Sequence, residues 1–312
     1  MDDLESRLLG APVTLTRADV EARSGVPADV AHDIWAAMGF AEVPYGERAF
    51  TTGDVAALKT AASLLALGVL DTDTLLVMAR AMGQGMATLA EGQLDVFRAL
   101  SDGMSVEEAL TAVVAATEDV LPKLEELVLF VWRRQFAAAV ERSLVTVRED
   151  GMPVLAIGFL DLVNFTRDTR SWDAGQLERT LERFERDTAL RVGAVGGRVV
   201  KTLGDGVLFT TDRAQTAVTV ALETVQAHAA DEDLPSVRGG VAIGPVLVRL
   251  GDVFGEPVNI ASRLSEQARP DSVLVDGQVA EALQDGFEVR PLHRRSVRGY
   301  RSLAPYLVRP AG

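Results

Sequence analysis

Two aspartates stand at the ends of apolar, strand-like runs. Asp161 lies in IGFLDLVNFT (residues 157–166) and Asp205 in GRVVKTLGDGVLF (residues 197–209). Carboxylates at neighbouring strand ends can hold two divalent cations and so clamp the attacking and leaving oxygens of a phosphoryl displacement. Hard oxygen ligands of this kind suit Mg2+ or Mn2+. Each aspartate also has a plainer reading. An Asp after a strand is a common turn former or helix N-cap, and a Gly-Asp-Gly between strands is a common hairpin turn.

A third stretch, RLGDVFGEPVNIASRL (residues 249–264), adds Asp252 before a Gly-containing loop. Asn259 and Arg263 follow at i and i+4, which places them on one helix face. An Arg fork and an Asn on one face can reach a phosphate and a ribose together. A solvated Arg with an Asn in the first helical turn is the plainer alternative.

Together the three stretches resemble the catalytic domain of class III nucleotidyl cyclases over about residues 152–308. The resemblance rests on DLVNFT (161–166), KTLGDGVLF (201–209) and GDVFGEPVNIASRL (251–264), with the two aspartates 44 positions apart (205 − 161). It implies that Asp161 and Asp205, with the backbone carbonyl of Leu162, hold two divalent cations. It implies that Lys201 and Asp252 read the purine. Adenine N1 is an acceptor and suits a Lys donor, and its exocyclic amine suits an Asp acceptor, so the pair points to ATP. Asn259 would orient the ribose, and Arg263 would stabilise charge on the α-phosphate. Phe165 and Thr166 belong to the loop that approaches the triphosphate. Two departures stand out. Asn164 replaces a more usual Gly, in a type that tolerates left-handed backbone. The C-terminal phosphate-binding cation, usually Lys, is here an Arg: Arg298 first, Arg301 second. The resemblance further implies ATP conversion to 3′,5′-cyclic AMP and pyrophosphate at a homodimer interface, with metal aspartates from one subunit and the purine and Asn/Arg pairs from the other. A non-catalytic nucleotide sensor is the second reading. A diguanylate cyclase is excluded by the lack of a GGDEF stretch.

These residues need elements to position them. Val154–Leu160 reads as a buried strand, and Ala174–Val192 as a helix with Leu177, Leu181, Phe184 and Leu190 on one side. Arg198–Leu203 and Val207–Thr211 read as a hairpin, Ala214–Ala229 as a helix, and Val237–Ile243 and Val246–Leu250 as strands. Val258–Gln267 begins a helix, and Ser272–Val275 is a further strand. The order βαββαβ indicates an α+β catalytic domain with a ferredoxin-like palm, in agreement with the class III cyclase fold, plus an all-α N-terminal domain. The domains are expected at 1–132 and 154–312, joined by a helical linker over 133–153.

Residues 1–140 read as wholly helical. Thr16 with Asp19 forms a capping-box pattern, and Ser24-Gly25-Val26-Pro27 a turn between helices. This start resembles the helix-turn-helix heads of MerR-type regulators. Residues 1–60 nevertheless carry ten acidic and five basic side chains, a charge of −5, so no nucleic-acid partner is expected. Residues 61–140 are rich in Ala, Leu, Val and Met, as a helical core or dimer interface would be. A small apolar ligand in the N-terminal domain is a weaker alternative. The whole layout resembles mycobacterial pH-responsive class III cyclases, in which a helical N-terminal domain inhibits the cyclase. The candidate histidine sensors are His32, His228 and His293.

The 312 residues carry a formal charge of −14 and no cysteine, which excludes disulfides and thiolate metal sites and fits a cytoplasmic location. The acidic start has no signal-peptide pattern. The apolar stretch 62–90 is interrupted by Asp71, Asp73 and Arg80, so no membrane insertion is expected.

Overall fold

The computed structural model of the chain describes residues 2–145, 152–165, 172–283, 286–292, 295–297 and 300–311. Two compact units divide between Ala138 and Ala139.

The first unit holds α1 (Asp2–Leu8), α2 (Arg17–Ser24), α3 (Ala28–Ala37), α4 (Thr52–Ala66), α5 (Thr72–Leu100), α6 (Val106–Asp119) and most of α7 (Leu121–Val145). Three helix starts are fixed by reciprocal capping boxes: Thr16 with Asp19, Thr51 with Asp54, and Ser105 with Glu108. Gly25, at φ 72°, ends α2 and makes the expected turn into α3. The unit is helical with one addition. β1 (Leu15–Thr16) pairs antiparallel with β2 (Arg48–Phe50). Strands of two and three residues leave no alternation to read, which is why they escape sequence reasoning. Leu15, Val20, Ile34, Phe50, Leu58 and Leu75 form the core. A cavity of about 60 Å³ lies beside it, lined by Val20, Trp35, Phe40 and Phe50 among others. Ligand pockets usually run to about 300–1,000 Å³. The long α5 buries Leu75 and Ala79, and it exposes Met78, Met82 and Met86 along one stripe.

The second unit contains β3 (Val154–Leu162), α8 (Ala174–Ala194), β4 (Arg198–Leu203), β5 (Gly206–Thr211), α9 (Ala214–Ala229), β6 (Val237–Pro245), β7 (Leu247–Arg249), β8 (Asp252–Phe254) and α10 (Glu256–Gln267). It continues with β9 (Val273–Val275), α11 (Gly277–Ala282), β10 (Phe287–Pro291), β11 (Arg295–Val297), β12 (Tyr300–Leu303) and β13 (Tyr306–Pro310). The main sheet runs β10-β13-β9-β6-β3-β5-β4. Its βαββαβ part, β6-β3-β5-β4, is antiparallel throughout, as a ferredoxin-like palm requires. β9 joins β6 in parallel, so the whole sheet is mixed. α8 differs from its expected face: Phe184 is buried, whereas Leu190 is exposed and Thr188 and Val192 are buried instead.

The two sheet faces do different work. Ala156, Leu160, Val207, Phe209, Val237 and Val241 point into the core shared with α9. Leu155, Ile157, Leu208 and Ala242 point the other way, toward Ala261 of α10. Side chains alternate along a strand, so Asp161 shares the α10 face with Ile157, and Arg238 shares it with Ala242.

Candidate active site

Asp161 is the penultimate residue of β3, and its neighbours across the sheet are Gly206 on β5 and Arg238 on β6. Asp205 sits in the β4–β5 turn after Gly204, whose φ of 63° supplies the sharp reversal. The Leu162 amide donates to the Asp205 carbonyl at 3.0 Å, tying the two strand ends together. Arg238 Nε donates to Asp161 Oδ2 at 2.7 Å, and Arg238 Nη2 donates to the same oxygen. Arg238 Nη1 donates to the Glu266 carbonyl, at 3.0 Å, near the end of α10. Burial pushes the Asp161 carboxyl above its ordinary pKa. Arg238 pulls it back, Asp205 and Glu266 push it further up, and the net shift is upward.

Lys201 and Asp252 come from β4 and β8, 51 residues apart, and meet at Nζ–Oδ2 2.5 Å. Burial raises the Asp252 carboxyl, but the Lys201 contact, the Val253 amide at 2.8 Å and nearby Arg198 outweigh it, and the net shift is downward. Arg198 Nη1 also donates to the Gly251 carbonyl at 2.5 Å, which anchors the β7–β8 turn to β4. Burial, with Arg142 close by, lowers the pKa of the Arg198 guanidinium from its ordinary value.

On α10, Pro257 in the first turn fits the missing N–H of that position, and Gly255 at φ 147° turns the chain into the helix. Asn259 is exposed. Arg263 Nη1 donates to both carboxylate oxygens of Glu266, at 2.9 and 2.6 Å. Asn164 adopts φ 59°, the left-handed conformation in which Asn can replace Gly. Phe165 packs partly buried against the α9 core and meets Trp172 edge-on at 5.8 Å.

A family model described as the adenylate and guanylate cyclase catalytic domain matches residues 147–310. An adenylate cyclase of Streptomyces coelicolor is 38% identical over 340 residues, covering 98% of this chain and 88% of the relative. An adenylate cyclase of Streptomyces griseus is 40% identical, covering 90% and 71%. A Mycobacterium tuberculosis protein named as a pH-sensitive adenylate cyclase is 28% identical, covering 91% and 75%. The chain belongs to the adenylate and guanylate cyclase family. Within this class III family it falls with the adenylate cyclases.

In this cyclase the structure brings Asp161, Leu162 and Asp205 to one end of the β3–β5 pair, and Lys201 to Asp252. Asn259 and Arg263 occupy α10, which packs on the same sheet face. Thr166, Arg298 and His293 lie outside the described residues, and Arg301 falls on β12. His228 is buried in α9 against Phe184, with Nδ1 3.1 Å from the Pro235 carbonyl. Burial lowers its pKa. His32 is exposed on α3.

Among the described residues no group of three or more His, Asp or Glu side chains converges as a metal cage. The donor set still fits divalent cations. Mg2+ usually takes one or two carboxylates and completes its shell with water and substrate phosphates. Asp161 and Asp205 repel one another, and Asp161 Oδ1 accepts no hydrogen bond among the described residues. Gly206 keeps the space beside that oxygen open, since a methyl added there would lie 3.6 Å from it.

Arg238 and Arg198 were not singled out from the sequence. The available signal is a single cation in the otherwise apolar and Gly-rich stretch VRGGVAI (237–243), but its partner becomes visible only with the β3–β6 register.

Proposed function

We propose that the chain converts ATP to 3′,5′-cyclic AMP and pyrophosphate in a homodimer with two equivalent sites. The observation that carries this reading is the Lys201–Asp252 pair, a donor beside an acceptor matched to the adenine edge, on the cyclase palm that also presents Asp161. The cations, Mg2+ or Mn2+, would be held by Asp161, Asp205 and the Leu162 carbonyl, and when bound they neutralise phosphate charge. Lys201 donates to adenine N1 and Asp252 accepts from the 6-amine. Asn259 orients the ribose so that the 3′-oxygen faces the α-phosphorus. That oxygen forms the new P–O bond as the α–β bridging bond breaks, the proton of the 3′-hydroxyl is released, and pyrophosphate leaves. Arg263 places its guanidinium at the developing charge on the α-phosphate, while Phe165, Thr166 and Arg298 belong to the triphosphate side. Such catalysis is mainly orientation and electrostatics.

Exposed apolar side chains favour the dimer. Leu247, Val248, Leu250 and Phe254 are exposed around the β7–β8 turn and Leu203 at the end of β4, and the α5 stripe and Leu127, Phe130, Trp132 and Phe136 of α7 are exposed as well. Patches of this kind mark association surfaces. The N-terminal domain, taken as residues 1–132 with a linker over 133–153, would regulate the cyclase. No helix among the described residues is long and apolar enough to cross a membrane.

The test offers ATP or GTP with Mn2+ to purified full-length protein, with Asp161→Ala as the control. Cyclic AMP from ATP, lost on substitution, is the expected result. Product from GTP at comparable rate would overturn the purine assignment, and no product from either nucleotide would leave a nucleotide-binding sensor.

A further inference from the structure

Arg198 and Lys201 stand at i and i+3 of β4, a spacing that a regular strand sends to opposite faces. A bulge between Val199 and Lys201 changes this. Arg198 pairs with Thr210 and Lys201 with Leu208, two positions apart on β5, so both share the face that Leu208 turns toward α10. From there both reach the β7–β8 hairpin. Lys201 meets Asp252, and Arg198 Nη1 donates to the carbonyl of the preceding residue, Gly251, at 2.5 Å. Leu250 and Gly251 close that hairpin between the paired Arg249 and Asp252. Both have positive φ, 51° and 80°, as a type I′ turn requires. Glycine adopts this conformation without steric penalty. Leu250 is strained in it, and such strain persists where surrounding contacts hold it. Arg198 supplies such a contact from outside the hairpin. It does so where its own charge is disfavoured, since burial and nearby Arg142 both lower its pKa.

We infer that Arg198 is a positioning residue for purine selection. It holds the strained Leu250–Gly251 turn against β4, and so fixes the Asp252 carboxylate where it meets Lys201 and would meet the adenine 6-amine. The bulge lets one strand supply both the purine donor and the brace for the purine acceptor. This inference rests on the reading of Lys201 and Asp252 as the purine pair. A brace differs from a general stabilising contact in its readout. Losing it loosens the choice between adenine and guanine, rather than lowering turnover with both nucleotides alike.

The experiment measures kcat and KM of the full-length protein and its variants with ATP and with GTP, in the presence of Mn2+. Circular dichroism melts confirm that each variant is folded. Arg198→Gln should lower the ratio of kcat/KM for ATP to that for GTP at least about five-fold, chiefly through KM for ATP, since a hydrogen bond from a charged donor is worth about ten-fold or more. Arg198→Lys keeps a charged donor and should stay within about three-fold of the wild type. Leu250→Asn places an Asn-Gly pair in the turn, which suits type I′ without outside help. In that background Arg198→Gln should change the ratio less than about two-fold, because the two substitutions act on one turn. A folded Arg198→Gln protein that keeps the wild-type ratio would overturn the proposal. So would an equal loss with both nucleotides, or a full effect in the Leu250→Asn background. A wild type with no preference for ATP over GTP would instead overturn the purine reading itself, which separates the two failures.

Discussion

Lys201 and Asp252 satisfy one another at 2.5 Å, so an adenine read by this pair, as proposed, would replace a bond that already exists. Discrimination then comes from two directional contacts rather than from net charge. Asp252→Asn keeps the size but turns one acceptor into a donor facing the 6-amine. Hydrogen bonds to charged groups are worth about 1.5–3 kcal/mol, so kcat/KM for ATP should fall roughly 10- to 100-fold, read by steady-state kinetics with ATP and GTP in parallel. A second residue outside the reaction carries a pH signature. Asp276 caps α11, accepts from the Val279 amide at 2.7 Å, and is pushed up to about 6 by burial. The folded state therefore binds the proton more tightly than the unfolded chain. Stability contributed by the protonated form is full below the unfolded pKa of 3.8 and is lost as pH rises through about 6. Asp276→Asn retains a capping oxygen without the charge. It should raise stability at pH 7.5 by on the order of 2–3 kcal/mol, with the gain vanishing near pH 4 in paired thermal melts. The chemistry-bearing residues of the palm were legible as candidates because each lies in a short motif that resembles the cyclase catalytic domain. Arg238 was not, because its meaning depends on a partner 77 positions away that only strand register supplies.

At the scale of elements, α10 lies against β6 at a distance only glycine allows. A methyl added at Gly240 would meet the Ala261 carbonyl at 2.2 Å and the Ser265 amide nitrogen at 2.3 Å. Those contacts are helix backbone, which cannot rotate away. Gly240→Ala should push α10, and with it Asn259 and Arg263, off the sheet. A drop in kcat well beyond the loss in melting temperature is the expected pattern, because positions off by about 1 Å can cost on the order of 100-fold in rate. Unchanged kcat with a lower melting temperature would show that helix placement tolerates the shift. The βαββαβ elements could be read from the sequence because each is a long apolar run or a long amphipathic one. β1, β2 and β10 to β13 could not. They are short, and their pairing is decided by contacts far along the chain, as where β13 inserts between β9 and β10. Leu190 shows the same limit within a helix: Thr180, Phe184, Thr188 and Val192 recur at i+4 and take the buried face, and Leu190 lies off that stripe.

At the scale of the molecule, the two halves of the proposed chemistry ride on different elements of one palm. Asp161 and Asp205 lie at the β3 and β4–β5 ends, whereas Asn259 and Arg263 ride on α10. A homodimer assembled through this face would build each site from the aspartates of one subunit and the Asn and Arg of the other. That arrangement makes a prediction no single-chain site could meet. Asp161→Ala and Arg263→Ala proteins should each be nearly inactive alone. Mixed and allowed to exchange subunits, half of the dimers become hybrids. Each hybrid has one site with both defects and one with neither, so the mixture should recover about a quarter of wild-type activity. Recovery should follow the rate of subunit exchange, and it should be lost when the two proteins are diluted below the dimer dissociation constant before mixing. A mixture that stays inactive while mass spectrometry shows hybrid dimers would place all the catalytic residues of a site in one chain, and would remove the reason for the exposed apolar surface of the β7–β8 turn.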